Sequence, residues 1–156
     1  MGRVEGINYI DNKPVAVWFE NGIITRVENL KSIRRNKESF IIAPGFVDIQ
    51  VNGYNGISFS LEGADEPSSE TKTLSVEEIR NITRALWTQG VTTYFPTLTT
   101  NSRELLLKNI SILSDAMNDP ANLGSIAGLH LEGPYISPVD GYRGAHPLEH
   151  VRNPDW

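Results

Sequence analysis

The chain has 156 residues, 39% hydrophobic and 21% charged, with 13 Gly and 9 Pro, a globular profile that excludes disordered and collagen-like classes. Its 14 Lys and Arg against 19 Asp and Glu leave a formal charge of -5 without long runs of one sign, which gives no support to nucleic-acid or anionic-membrane binding. The lack of cysteine excludes disulfides, thiolate metal sites and a thiol nucleophile, so any metal must be held by His, carboxylate or amide oxygen.

No apolar run reaches the roughly 18 residues of a spanning helix, and Met1-Gly2-Arg3-Val4-Glu5-Gly6 lacks the apolar core of a signal peptide, so a cytoplasmic protein is expected. Residues 3–42 read as short strands and turns. Asn21-Gly22 separates two β-prone runs, the strongest short-range signal for a hairpin, and a small antiparallel sheet without catalytic cargo is expected. Arg34, Arg35 and Lys37 read as a solvated loop.

Ala43-Pro44-Gly45 then punctuates the chain, and residues 46–53 alternate apolar Val47, Ile49 and Val51 with polar Asp48, Gln50 and Asn52. That alternation suits an exposed edge strand, and equally a barrel strand whose apolar side packs on helices while its polar side faces the barrel mouth. Residues 54–72 read as one long loop of the kind that is more often functional than idle. A helix follows within residues 73–90, marked by a Ser75/Glu78 capping box, an apolar stripe of Val76, Ile79, Ile82 and Leu86, and Gly90 at its end. Residues 91–95 form a β-branched and aromatic strand ended by Pro96. A second helix starts at Asn101 or Ser102, carries Leu106, Ile110, Leu113 and Met117 on one face, and stops at Asp119-Pro120.

The next strand runs through Gly128-Leu129-His130-Leu131-Glu132 and stops at Gly133-Pro134. Alternation puts His130 and Glu132 on one face and Leu129 and Leu131 on the other. A carboxylate at the last position of such a strand stands where a parallel α/β barrel keeps its chemistry. A satisfied polar pair beneath a loop, or a Glu132 that caps backbone amides, fits those residues equally well. Likewise Gln50 and Asn52 suit bonds to loop backbone, and His150 suits a surface turn or helix.

The order strand, helix, strand, helix, strand implies right-handed crossovers and a parallel sheet, either a (β/α)₈ barrel or a doubly wound sheet. Asn52-Gly53-Tyr54-Asn55-Gly56 is neither a dinucleotide fingerprint nor a P-loop, and polar side chains at the ends of the first and third strands favour the barrel.

Ile42-Ala43-Pro44-Gly45-Phe46-Val47-Asp48, Gly90-Val91-Thr92-Thr93-Tyr94-Phe95-Pro96-Thr97, His130-Leu131-Glu132-Gly133-Pro134 and Gly144-Ala145-His146-Pro147 together resemble the N-terminal part of the N-acetylglucosamine-6-phosphate deacetylase family of the amidohydrolase superfamily. The resemblance covers nearly the whole chain. It implies a partial (β/α)₈ barrel, its first three βα units falling in residues 44–156, after a β-sandwich segment in residues 1–43. It further implies metal-dependent hydrolysis of the N-acetyl group of N-acetylglucosamine 6-phosphate, giving glucosamine 6-phosphate and acetate in amino-sugar catabolism, by a full-length homodimer.

By the same resemblance Glu132 is a metal ligand. Gln50, Asn52 and His130 stand around the metal's water or behind its ligands, and Ala145 and His146 contact the sugar. Gln50-x-Asn52 replaces the His-x-His pair usual in the superfamily. A neutral amide is a poorer ligand than imidazole, so one divalent ion is expected rather than two, zinc first and iron or manganese as alternatives. The family's two metal-binding histidines and its proton-shuttling aspartate have no counterpart among these residues: the catalytic Asp is expected beyond Trp156, and the chain alone is expected to be inactive. Two other readings remain. One is a non-catalytic binding or assembly module. The other is an amidohydrolase acting on a cyclic amide, such as a dihydroorotase or hydantoinase relative, against which the Gln50-x-Asn52 pair argues.

Overall fold

Asn21 and Gly22 take up left-handed backbone, with φ of 49° and 78°, the pair of positive angles that a two-residue hairpin turn requires. In the computed structural model, which describes residues 1–33, 40–60 and 74–154, this turn joins β2 (Pro14–Glu20) to β3 (Ile23–Asn29). With β1 (Gly2–Asn8) and β4 (Ile41–Ile42) they form one sheet in the order β3-β2-β1-β4. Its first three strands are antiparallel as expected, whereas β4 pairs with β1 in parallel. The chain returns along the free edge of β1, where Ile7 N–H donates to the Phe40 carbonyl at 2.7 Å and Tyr9 N–H to that of Ile42 at 3.1 Å. Val15, Ala16 and Val17 are buried, and the Trp18 ring lies between the guanidinium groups of Arg3 and Arg26, 5.0 and 4.7 Å from its centroid. Arg34, Arg35 and Lys37 lie outside the described residues.

This sheet belongs to one compact unit, Met1–Pro44, and a second spans Gly45–Trp156. The second unit is built on a three-stranded parallel sheet in the order β5-β8-β9, from β5 (Phe46–Val51), β8 (Val91–Thr99) and β9 (His130–Glu132). Between β5 and β8 lie a small hairpin, β6 (Gly53–Tyr54) with β7 (Ile57–Ser58), and helix α1 (Val76–Thr88). The start of the long loop expected over residues 54–72 is this hairpin, in which Asn55-Gly56 repeats the Asn21-Gly22 turn with φ of 52° and 78°, and residues 61–72 lie outside the described residues.

Both helices start at the residues their capping signals mark. Ser75 Oγ accepts the Glu78 N–H at the head of α1, and Ser102 Oγ accepts that of Leu105 at the head of α2 (Arg103–Met117). Ile79, Ile82 and Leu86 from α1 and Leu106, Leu113 and Ala116 from α2 pack with Val51, Phe59, Tyr94, Leu98 and Ile126 in one core. Tyr94, at its centre, stacks on Phe59 with ring centroids 6.3 Å apart. Its hydroxyl meets Thr83 Oγ1 at 2.9 Å, and burial pushes its pKa up.

Three further departures matter for the site. Pro96 does not end the second strand: β8 continues to Thr99, with Pro96 opposite Val51 next to an irregularity in the β5–β8 register between Asp48 and Val51, the kind of place where a strand tolerates proline. Val51 packs on the core, but Val47 and Ile49 are exposed, so the apolar side of β5 is covered only at its end. Finally, β9 is followed by turns and a short 3₁₀ helix, Leu148–His150, so among the described residues the three parallel strands are accompanied by two α-helices rather than three.

Candidate active site

Because β5, β8 and β9 run in parallel, their C-terminal ends lie on one edge of the sheet. Thr99 pairs with Glu132 in the β8–β9 ladder, and Val51 pairs with Pro96 across the other. Ser60, just past β7, ties this edge down, its hydroxyl accepting both the N–H of Thr99 at 2.8 Å and the Thr99 hydroxyl at 3.0 Å.

Glu132 is the meeting point. Gln50 Nε2 donates to its Oε2 at 3.2 Å, and His146 Nε2 lies 3.6 Å from its Oε1. The Glu132 side chain is 36% exposed and that of His146 16%. Gln50 therefore bonds a side chain and not loop backbone, and the partners of Glu132 are side chains as well. His146 is held from its other ring nitrogen, with Nδ1 2.9 Å from Oγ1 of the buried Thr100. The same hydroxyl donates to the Glu132 backbone carbonyl at 3.3 Å.

Gly133 permits this arrangement. Its φ is +87°, and a Cβ there would fall 2.0 Å from Thr100 Oγ1, so only glycine admits both the backbone angle and the hydroxyl. The loop that carries His146 is fixed by Arg143, whose Nη1 donates to the His146 carbonyl and whose Nη2 reaches Asp140 Oδ1 at 3.4 Å.

An open cleft of about 1070 Å³ lies over this edge. Asn52, Glu132, Ala145 and His146 all line it, so the structure brings four of the sequence-selected residues onto one surface, with Gln50 bonded behind Glu132. The backbone carbonyl of Asn52 accepts the Phe59 N–H at 3.1 Å. His130 is placed differently: its Nδ1 lies 3.2 Å from Oγ1 of the buried Thr97, and it is not among the cleft residues. His150 sits on the 3₁₀ turn and borders the cleft, a position not foreseen for it. Sequence reading also missed Thr97 and Thr100 as the partners of the two histidines. The signal was there in Thr97-Leu98-Thr99-Thr100, a hydroxyl-rich end to a buried strand.

Among the described residues no three His, Asp or Glu side chains lie close enough together to hold a metal ion. Glu132 offers a carboxylate at the cleft, which suits coordination of a hard or borderline divalent ion and by itself falls short of a full ligand set.

No family model matches the chain. Human N-acetylglucosamine-6-phosphate deacetylase is 37% identical to it over 144 residues, covering 88% of this chain and 32% of the human protein. The crystal structure of the N-acetylglucosamine-6-phosphate deacetylase from Pasteurella multocida matches with a TM-score of 0.72 over 99% of this chain and 40% of that one; at 20% identity this is a likeness of fold. The enzyme of the same name from Mycobacterium smegmatis matches with a TM-score of 0.63 at 26% identity, over 91% of this chain and 34% of that one. Sequence and mixed α/β fold agree with the motif resemblance: the chain is homologous to the N-acetylglucosamine-6-phosphate deacetylases and spans about a third of the length of the curated relatives it matches.

Proposed function

We propose that this chain supplies the Glu132 corner of a metal-dependent deacetylase that hydrolyses N-acetylglucosamine 6-phosphate to glucosamine 6-phosphate and acetate. The observation that carries the reading is the meeting of Gln50, Glu132 and His146 at the C-terminal edge of a parallel sheet, under an open cleft. That edge is where parallel α/β barrels hold their catalytic groups.

The strand order β5-β8-β9 has no reversal, which supports the start of a (β/α)₈ barrel in residues 44–156 over a doubly wound sheet. The exposed Val47, Ile49 and Leu131 support it too, as apolar surface that further strands and helices would cover. Residues 1–43 are read as part of a β-sandwich.

Glu132 is assigned as one ligand of a single divalent ion, zinc in the first place. Such an ion, when bound, supplies Lewis-acid polarisation of an acetyl carbonyl and lowers the pKa of water towards neutrality. The chain's own residues do the following. Glu132 contributes negative charge and an oxygen ligand. Gln50 holds that carboxylate with an amide that does not titrate, and Asn52 lies beside it. His146 and Ala145 border the sugar, and His130 braces β9 on β8 through Thr97. The remaining ligands and the proton-shuttling carboxylate are assigned to the part of the relatives that this chain does not match, as is the rest of a homodimeric phosphate site.

The test is acetate release from N-acetylglucosamine 6-phosphate by the chain alone and by a chimera in which it replaces the matching third of the human relative. The chain alone should give background and the chimera chelator-sensitive activity. Activity from the chain alone would refute this division of the site; a folded, metal-loaded but inactive chimera would refute the assignment.

A further inference from the structure

Pro134 and Arg152 face each other across the neck of a loop. The Arg152 N–H donates to the Pro134 carbonyl at 3.2 Å, so the chain that leaves β9 returns to the point from which it set out. Arg143, Ala145 and His146, which this loop brings to the cleft, lie between those two residues. One backbone bond is a weak closure for a loop of that length, because its opening returns chain entropy. The Arg152 side chain adds two more bonds: Nη1 donates to the His150 carbonyl at 3.0 Å and to the Asn101 carbonyl at 3.3 Å. The first closes the last turn of the loop. The second leaves the loop, since Asn101 lies between the end of β8 and Ser102, the cap of α2. Both acceptors are carbonyls and the donor is a cation, so each bond is charge-assisted. The two hydrogens on one guanidinium nitrogen diverge within a fixed plane, which lets a single nitrogen serve both carbonyls.

We propose that Arg152 is a positioning residue, a latch that fixes the loop of residues 134–152 to the C-terminal end of β8 and so sets Ala145 and His146 at the cleft. The loop is bonded within itself. The Arg143 N–H donates to the Val139 carbonyl at 3.0 Å, its Nη1 to the His146 carbonyl, and the N–H groups of His150 and Val151 to the carbonyls of Pro147 and Leu148 at 3.2 Å each. A loop tied in this way shifts as a piece, and the latch sets where that piece sits. Arg152 is not among the cleft residues, and Glu132 lies on β9, before the loop begins. The latch therefore governs the side of the cleft assigned to the sugar and leaves the carboxylate in place. The sugar assignment rests on the proposed function, whereas the latch rests on the hydrogen bonds alone.

The experiment is residue-by-residue amide hydrogen exchange of this chain, beside steady-state kinetics of the chimera, each with Arg152→Met and Arg152→Lys. Met keeps the apolar stem and removes every donor, while Lys keeps the charge and a donor. In Arg152→Met the N–H groups of Arg143, His150 and Val151 should exchange at least about 10-fold faster, while those of Ile79 and Tyr94 keep their rates, because the loop opens and the core does not. Arg152→Lys should restore most of the protection. In the chimera, Arg152→Met should raise KM for N-acetylglucosamine 6-phosphate by about 10-fold and leave bound metal unchanged. Loop amides unmoved in folded Arg152→Met, loop and core amides accelerated together, or a Lys variant no better than Met overturns the latch. Loss of metal with Arg152→Met overturns it too, by moving the effect to Glu132. Should Arg152→Met fail to fold, the unaltered chain decides: a shared protection of the three loop amides of at least about 10-fold supports the latch, and exchange as fast as in unstructured peptide overturns it. The exchange involves no catalysis, so an unaltered chimera without activity sinks the deacetylase reading and leaves the latch standing.

Discussion

Gln50 Nε2 and Glu132 Oε2 meet at 3.2 Å although 82 residues of chain separate them. Their strands are not neighbours: β8 lies between β5 and β9, and adjacent strands are about 4.8 Å apart, so two long side chains must reach over the central strand. Gln50→Asn, one methylene shorter, should therefore break the contact as fully as Gln50→Ala. In the chimera both should weaken metal binding by about 10- to 100-fold, the range for removing a hydrogen-bond partner of a ligand, with stability changed by less than about 0.5 kcal/mol. Metal titration alongside thermal unfolding checks both.

Gly133 and Thr100 should show coupled energetics. Gly133→Ala combines a positive φ with the Cβ placed 2.0 Å from Thr100 Oγ1 and should cost about 1–3 kcal/mol in urea unfolding. Thr100→Ala in the same chain removes the clash but not the backbone strain, so the double variant should be more stable than the sum of the singles implies, by at least about 0.5 kcal/mol. Strict additivity would show that the hydroxyl and the glycine are independent.

The legible part of the fold was the part with short-range signals. Ser75 and Ser102 mark their helices because a hydroxyl satisfies an open backbone N–H a few residues on. The Asn21-Gly22 turn, Glu132 at a strand end and the relatedness to the deacetylases were read the same way. What escaped depended on partners distant in sequence. The parallel seat of β4, the continuation of β8 through Pro96 and the exposure of Val47 and Ile49 are decided by which strand lies alongside and what covers it. The Thr97–His130 and Thr100–His146 pairs span 33 and 46 residues, and no local pattern announces them.

Asp119 sits at the end of α2, where Arg80 from α1 bonds its carboxylate and the Ala121 N–H adds a second bond at 3.1 Å. Arg80, then that N–H, hold its pKa below the usual carboxylate value of 3.8. A carboxyl whose folded pKa is depressed stabilises the fold above its unfolded pKa, and that stability is lost as pH falls through the folded value. Stability should therefore decline below about pH 4 partly through this group. Asp119→Asn should flatten that part of the profile, which denaturant midpoints taken from pH 6 downward would reveal.

Ser75→Ala should cost about 1 kcal/mol, as for a typical N-cap, because the Glu78 N–H loses its acceptor at 3.2 Å. The loss should appear as a lower urea midpoint with an unchanged slope. An effect near zero would mean that water replaces the cap at no cost.

The most direct test of the central claim is acetate release and metal content of the chimera with and without Glu132→Gln. The change swaps an anionic oxygen for a neutral amide of the same size in a cleft where Gln50 and His146 still surround it. The variant should fold, lose bound divalent metal, and fall by at least about 100-fold in kcat/KM, or about 2.7 kcal/mol of transition-state stabilisation. A Glu132→Gln chimera that keeps its metal and its acetate release would contradict the assignment of Glu132 as the metal-binding corner of this chain.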